Sequence, residues 1–183
     1  MQGHIFIQEA PDELDVDDLR THLQTSGCGA IVSFTGITRG VDEGEEVLRL
    51  EFYAWQEKLS ETLHALAEQA IDRFGLKSVA MAHRTGSVGP GENIVAIHVA
   101  SPHRKEAFEG CSWLIDELKG QAPLWKKEVK PSGATWKAGL GGKNGKEYPR
   151  SYRHRGQTNS SQKSECHRLS TPFRAVQASH HKW

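Results

Sequence analysis

Between Gln56 and Phe74 the apolar side chains Leu59, Leu63, Leu66, Ala67, Ala70, Ile71 and Phe74 recur at i, i+4, i+7 and i+8. That period gathers them on one stripe of an α-helix, and such a stripe must be buried against a second layer. Gly75 follows as a residue able to close the helix in the left-handed conformation. A second stripe, Ala107, Phe108, Cys111, Leu114, Ile115 and Leu118, predicts another long helix ending near Gly120. Ser101 and Pro102 would supply its N-cap and a proline at the first helical position.

The layer for these helices to cover comes from β-rich runs. Residues 4–8 alternate, with Ile5 and Ile7 on one side; residues 30–34, 47–53, 78–83 and 93–100 are further strand candidates. The run 93–100 is rich in β-branched residues and suits the middle of a sheet. A short helix is expected after Pro11, where Leu14, Leu19 and Leu23 are preceded by acidic residues that favour a helix start. Residues 41–46 are acidic and polar and read as a mobile loop. Gly89-Pro90-Gly91-Glu92 reads as turn chemistry. Residues 124–129 are extended by alternation, with Trp125, Lys127 and Val129 on one face and Lys126 and Glu128 on the other. Trp136 belongs to one more short strand. Strands and two long helices without a regular βαβ repeat predict an α+β domain with a mixed or antiparallel sheet.

From about residue 139 the apolar periodicity stops. Residues 141–183 hold nine Lys/Arg against two Asp/Glu, so a +7 segment follows a body of −7 in a chain of zero net charge. The division expected is therefore a domain at 1–138 and a basic, His-, Gly- and Ser-rich tail at 139–183 that does not fold on its own. The sequence has no apolar run near the ~20 residues that cross a bilayer, and its first residues lack the pattern of a secretory signal, so a cytoplasmic protein is expected. Cys28, Cys111 and Cys166 form no CxxC pair, which argues against a zinc site or a disulfide framework, and Cys111 reads as a core residue. The histidines of the tail have no ligand spacing, so no metal is expected there.

The chemistry concentrates between residues 101 and 130. His103 and Arg104 sit at a predicted helix start, where free N–H groups favour an anion; the same pair also fits a solvated helix end. Lys119 follows Arg104 by 15 residues, about 22 Å along a helix, so one helix cannot bring both to one small site. They serve either the two ends of a long pocket or two subunits. Lys119 and Lys126 are easier to unite, because Gln121-Ala122-Pro123 allows the chain to reverse. A lysine beside other cations has its pKa lowered and becomes a usable base or nucleophile. Glu128, on the side of Lys126, would hold it in place. Two exposed lysines near a turn would look the same in sequence. Arg39 ends the 30–34 strand in a glycine-flanked loop.

These residues lie in segments with a recognisable likeness. GAIVSFTGITRG (29–40), LRLEFYAWQEK (48–58), the SPHR, Lys119 and APLWKKE block within 81–128, and the trailing Trp136 together resemble the large, catalytic subunit family of molybdopterin synthase, over about residues 1–138. The resemblance implies an α/β-hammerhead-type domain. It further implies a homodimer within a heterotetramer, carrying at each end a small ubiquitin-like sulfur-carrier subunit with a Gly-Gly C-terminus. The implied reaction moves sulfur from the carrier's thiocarboxylate to cyclic pyranopterin monophosphate, forming the dithiolene of molybdopterin, with no cofactor. Lys119 and Lys126 match the pocket lysines, Phe34 and Arg39 the motif lining the pocket, and His103 with Arg104 an anion-binding pair contributed by the neighbouring subunit. Past Trp136 the chain departs from the family, and the basic position found there is not assigned to any tail residue.

Two other classes compete. A non-catalytic scaffold would keep the carrier-docking surface without needing five cationic residues of this kind. Nucleic-acid binding through the +7 tail is disfavoured by the acidic body and the lack of interleaved aromatic residues.

Overall fold

A computed structural model describes residues 3–140. The predicted tail lies outside the described residues except for Gly139 and Leu140, which belong to the last strand. Strand β1 (His4–Ala10) leads to a one-turn-plus helix α1 (Val16–Thr21), capped by the Asp15 carboxylate, which accepts from the N–H groups of Asp17 and Asp18. Then come β2 (Ala30–Ile37), the short β3 (Val41–Asp42) and β4 (Glu45–Glu46), β5 (Arg49–Ala54) and α2 (Gln56–Phe74). The chain continues through β6 (Ser78–Arg84), β7 (Gly86–Val88), β8 (Asn93–Ser101), α3 (Arg104–Gln121), β9 (Leu124–Lys130) and β10 (Gly133–Leu140).

Two four-stranded sheets result, in the orders β1-β6-β8-β2 and β10-β9-β5-β7. In the first, β1 runs parallel to β6 while the other pairs are antiparallel; the second is antiparallel throughout. This is the α+β architecture that the two apolar stripes predict. Helices α2 and α3 pack on one face of the first sheet, where Leu63, Leu66 and Leu114 meet Val79, Met81, Ile97 and Val99. Alternation along β6 sends Ala80 and Ala82 to the opposite face, where Leu14 and Leu19 cover them. Cys111 is a buried core residue as expected, and burial pushes its thiol up to about 11. Gly75 closes α2 in the left-handed conformation (φ 66°), donating its N–H to Ile71 O.

Two local expectations are corrected. Ser101 does not cap α3: it remains in β8, paired with Ala30, and His103 is the N-cap residue in extended conformation. Sheet pairing is what holds Ser101 there: the Gly29 N–H donates to Ser101 O and Pro102 O, so the chain stays extended through Pro102 and the helix starts after His103. Residues 41–46 form the β3–β4 hairpin, in which the two central residues Glu43 (φ 55°) and Gly44 (φ 80°) take the left-handed values of a tight hairpin turn. Residues 89–92 form the expected turn, with Glu92 N–H donating to Gly89 O, and β7 just before it pairs with β5. Among the described residues no helix is long and apolar enough to cross a membrane.

Candidate active site

Where the end of α3 faces both sheets, a cavity of about 210 Å³ opens. Its walls come from five directions: Phe34 and Gly36 of β2, Phe52 of β5, Val95 of β8, Ile115 and Leu118 of α3, and His83 of β6. Lys119, in the last turn of α3, and Lys126, the third residue of β9, complete it. The chain reversal that unites them is the predicted one: Ala122 leaves helical geometry at ψ 129° and Pro123 carries the chain into β9. Phe34, Lys119 and Lys126 are thus brought together as anticipated.

The apolar wall leaves Lys126 half-buried, while Lys119 is exposed at the rim. The Lys126 pKa lies below its ordinary value, first because burial penalises the ammonium. Glu128 and Asp42 work against that shift, and Lys137 and Arg39 reinforce it.

The remaining predicted residues are placed elsewhere. Arg39 is largely exposed and donates to the Asp42 carboxylate at 2.8 Å, outside the cavity wall. His103 and Arg104 are exposed at the far end of the 18-residue α3, so within one chain they do not join the lysines. Glu128 does not contact Lys126. Its buried carboxylate lies 3.2 Å from Lys130 Nζ and 3.1 Å from Lys137 Nζ, and both lysines also approach Asp42 of the β3–β4 hairpin. A four-membered charge cluster therefore ties that hairpin to β9 and β10, and Glu128 acts on Lys126 only through space.

Sequence reading missed His83. Alternation along β6 aligns it with Val79 and Met81 on the helix side, a signal present in the pattern but silent about the cavity. The ring is 1% exposed and meets Phe52 edge-on, with centroids 5.2 Å apart. Burial holds its pKa at about 4, against an ordinary 6.5. Above the ordinary value the ring is neutral whether the chain is folded or not; between the two values the unfolded chain takes up a proton that the fold refuses. Stability is therefore expected to fall as pH drops through this window, by at most about 1.4 kcal/mol per pH unit from this group. His98, also held low by burial, adds in the same direction. Urea midpoints measured across the window should decline, and less steeply for His83→Phe.

The fold and the cavity define a small α+β domain that sets two lysines in the wall of one pocket. The model of the MoaE protein family matches residues 9–121, and the chain belongs to that family. It is 32% identical over 135 residues to the molybdopterin synthase catalytic subunit of Pyrococcus abyssi, covering 74% of this chain and 91% of that one. To the catalytic subunit of Arabidopsis thaliana it is 38% identical over 133 residues, 73% of this chain and 67% of that one. The crystal structure of molybdopterin synthase from Staphylococcus aureus superposes with a TM-score of 0.67 at 27% identity, covering 75% of this chain and 97% of that one. A complex of subunits 1 and 2 of molybdopterin-converting factor from Helicobacter pylori gives a TM-score of 0.60 at 25% identity, over 71% and 88% of the two chains.

Proposed function

We propose that the chain is the catalytic subunit of a cytoplasmic molybdopterin synthase, transferring sulfur from the thiocarboxylate of a small ubiquitin-like carrier to cyclic pyranopterin monophosphate. The observation that carries this reading is the meeting of Lys119 and Lys126 in one otherwise apolar cavity beside Phe34. The carrier's Gly-Gly tail enters that cavity and presents its sulfur there. As the thiocarboxylate sulfur attacks a precursor carbon, the carbon–oxygen bond there breaks and the oxygen leaves with its electron pair, joining the carrier to the precursor as a thioester; water then cleaves the acyl–sulfur bond, leaving sulfur on the pterin and a carboxylate on the carrier. Two rounds complete the dithiolene. Negative charge develops in both steps, and fixed cations in a site shielded from water stabilise it more than solvent would. Lys126, with its lowered pKa, is the better suited of the two to pass a proton.

The precursor's phosphate is held by Arg39 together with His103 and Arg104 of a neighbouring copy, through charge-assisted hydrogen bonds. A homodimer within a heterotetramer resolves the separation of the two ends of α3, which no single chain closes. The domain responsible spans residues 1–138, with 139–183 as an appended tail. The test is direct: the protein mixed with thiocarboxylated carrier and precursor should yield the dithiolene pterin, consuming two carriers per product. Carrier binding without product would instead support the non-catalytic scaffold.

A further inference from the structure

We infer that His83 is the hydrogen-bond acceptor that reads a peptide N–H of the carrier's glycine tail inside the cavity. The inference rests on the carrier reading above and adds to it a specificity-determining residue.

The cavity's size selects its occupant. About 210 Å³ is the liquid volume of roughly seven waters, and lies below the ~300–1,000 Å³ of pockets that enclose whole small molecules. A narrow chain end fits it. Its wall is tight at Gly36, where a Cβ would stand 2.8 Å from Val95 Cγ1. An extended glycine segment entering such a space leaves its water behind, and each of its N–H groups then needs an acceptor. Lys119 and Lys126 are donors only, and the other lining side chains are apolar, so His83 is the one lining side chain able to accept.

The imidazole is set up for that part. Its Nδ1 lies 2.7 Å from Arg84 O, and because a carbonyl oxygen only accepts, Nδ1 carries the ring proton. Nε2 then holds the lone pair, and no described residue bonds to it. Packing against Phe52 fixes the ring plane. At neutral pH the buried ring stays uncharged, so the acceptor is not lost to protonation. A histidine free to turn or to charge would do none of this reliably.

The test is a backbone substitution in the partner. Carriers in which an ester oxygen replaces the N–H of the last or of the penultimate glycine are prepared by ligation, and their Kd is compared with that of the all-amide carrier. One of the two esters should bind the wild-type chain about tenfold more weakly, the effect of leaving one buried partner unsatisfied. His83→Phe should bind amide and ester carriers within about twofold of each other, because the acceptor is already gone. His83→Gln, which restores an acceptor, should recover part of the discrimination. Both esters binding wild type as tightly as the amide would overturn the inference, as would full discrimination persisting in His83→Phe. If His83→Phe does not fold, as read by circular dichroism, the ester effect in wild type and in His83→Gln decides the matter. Failure of the all-amide carrier to bind at all would instead refute the carrier reading itself.

Discussion

Lys119→Ala is expected to abolish dithiolene formation, a loss of at least about 10²-fold in sulfur transfer, while carrier binding stays within a few-fold of wild type. The asymmetry follows from the position of this residue. Lys119 ends the exposed face of α3, where it supports no core contact, yet it reaches the cavity lined by Phe34 and Phe52. Its removal leaves the fold and the docking surface in place and takes away only a fixed cation at the reacting centre. A cation whose attraction grows as charge develops lowers the barrier rather than merely tightening the complex, so the loss should appear in the single-turnover rate more than in Kd. Quantifying the dithiolene product under single-turnover conditions, beside a carrier titration, separates the two. Unchanged turnover would remove Lys119 from the mechanism, and loss of carrier binding in proportion to activity would make it a docking residue.

How much of this could be read in advance depends on how local the determining interactions are. Helix α2 was legible because its stripe and Gly75 lie within one stretch of chain, and Lys119 and Lys126 because only a short proline-containing turn separates them. The pairing of β1 with β6 was not, since its partners are remote in sequence and parallel register has no turn to announce it. The β3–β4 hairpin escaped for a related reason. Its acidic residues look like a solvated loop until Lys130 and Lys137, on strands near the far end of the domain, are placed against Asp42. His83 shows the limit most clearly. Alternation gives the side of the sheet it faces, but its fixed tautomer and its role as the lone acceptor in the wall arise only when five elements close around it.

Glu128 provides the second large effect, and it differs from the one its position suggests. Alternation puts it beside Lys126, which makes it look like the partner of a site lysine, whereas its carboxylate lies buried between Lys130 and Lys137. Glu128→Ala is expected to destabilise the domain by about 1.5–3 kcal/mol, because it removes a buried charged partner from both lysines while Asp42 still holds them. Lys130, 9% exposed, loses its nearest carboxylate; it keeps its hydrogen bond to Asp42 O at 2.9 Å, the Asp42 carboxylate at 3.8 Å and the peripheral Glu43 at 3.9 Å. The variant Glu128→Ala/Lys130→Met should recover much of the loss, since both buried charges are then gone, and urea denaturation of the four proteins of this cycle measures the coupling. A consequence for the site follows. Glu128 opposes the lowering of the Lys126 pKa, so its loss lets that pKa fall further, and any limb of the activity profile governed by Lys126 should move to lower pH. A stability loss below about 1 kcal/mol would mean that the cluster is effectively solvated. An unmoved activity limb accompanied by a large stability loss would confine Glu128 to holding the hairpin and the β9–β10 pair together.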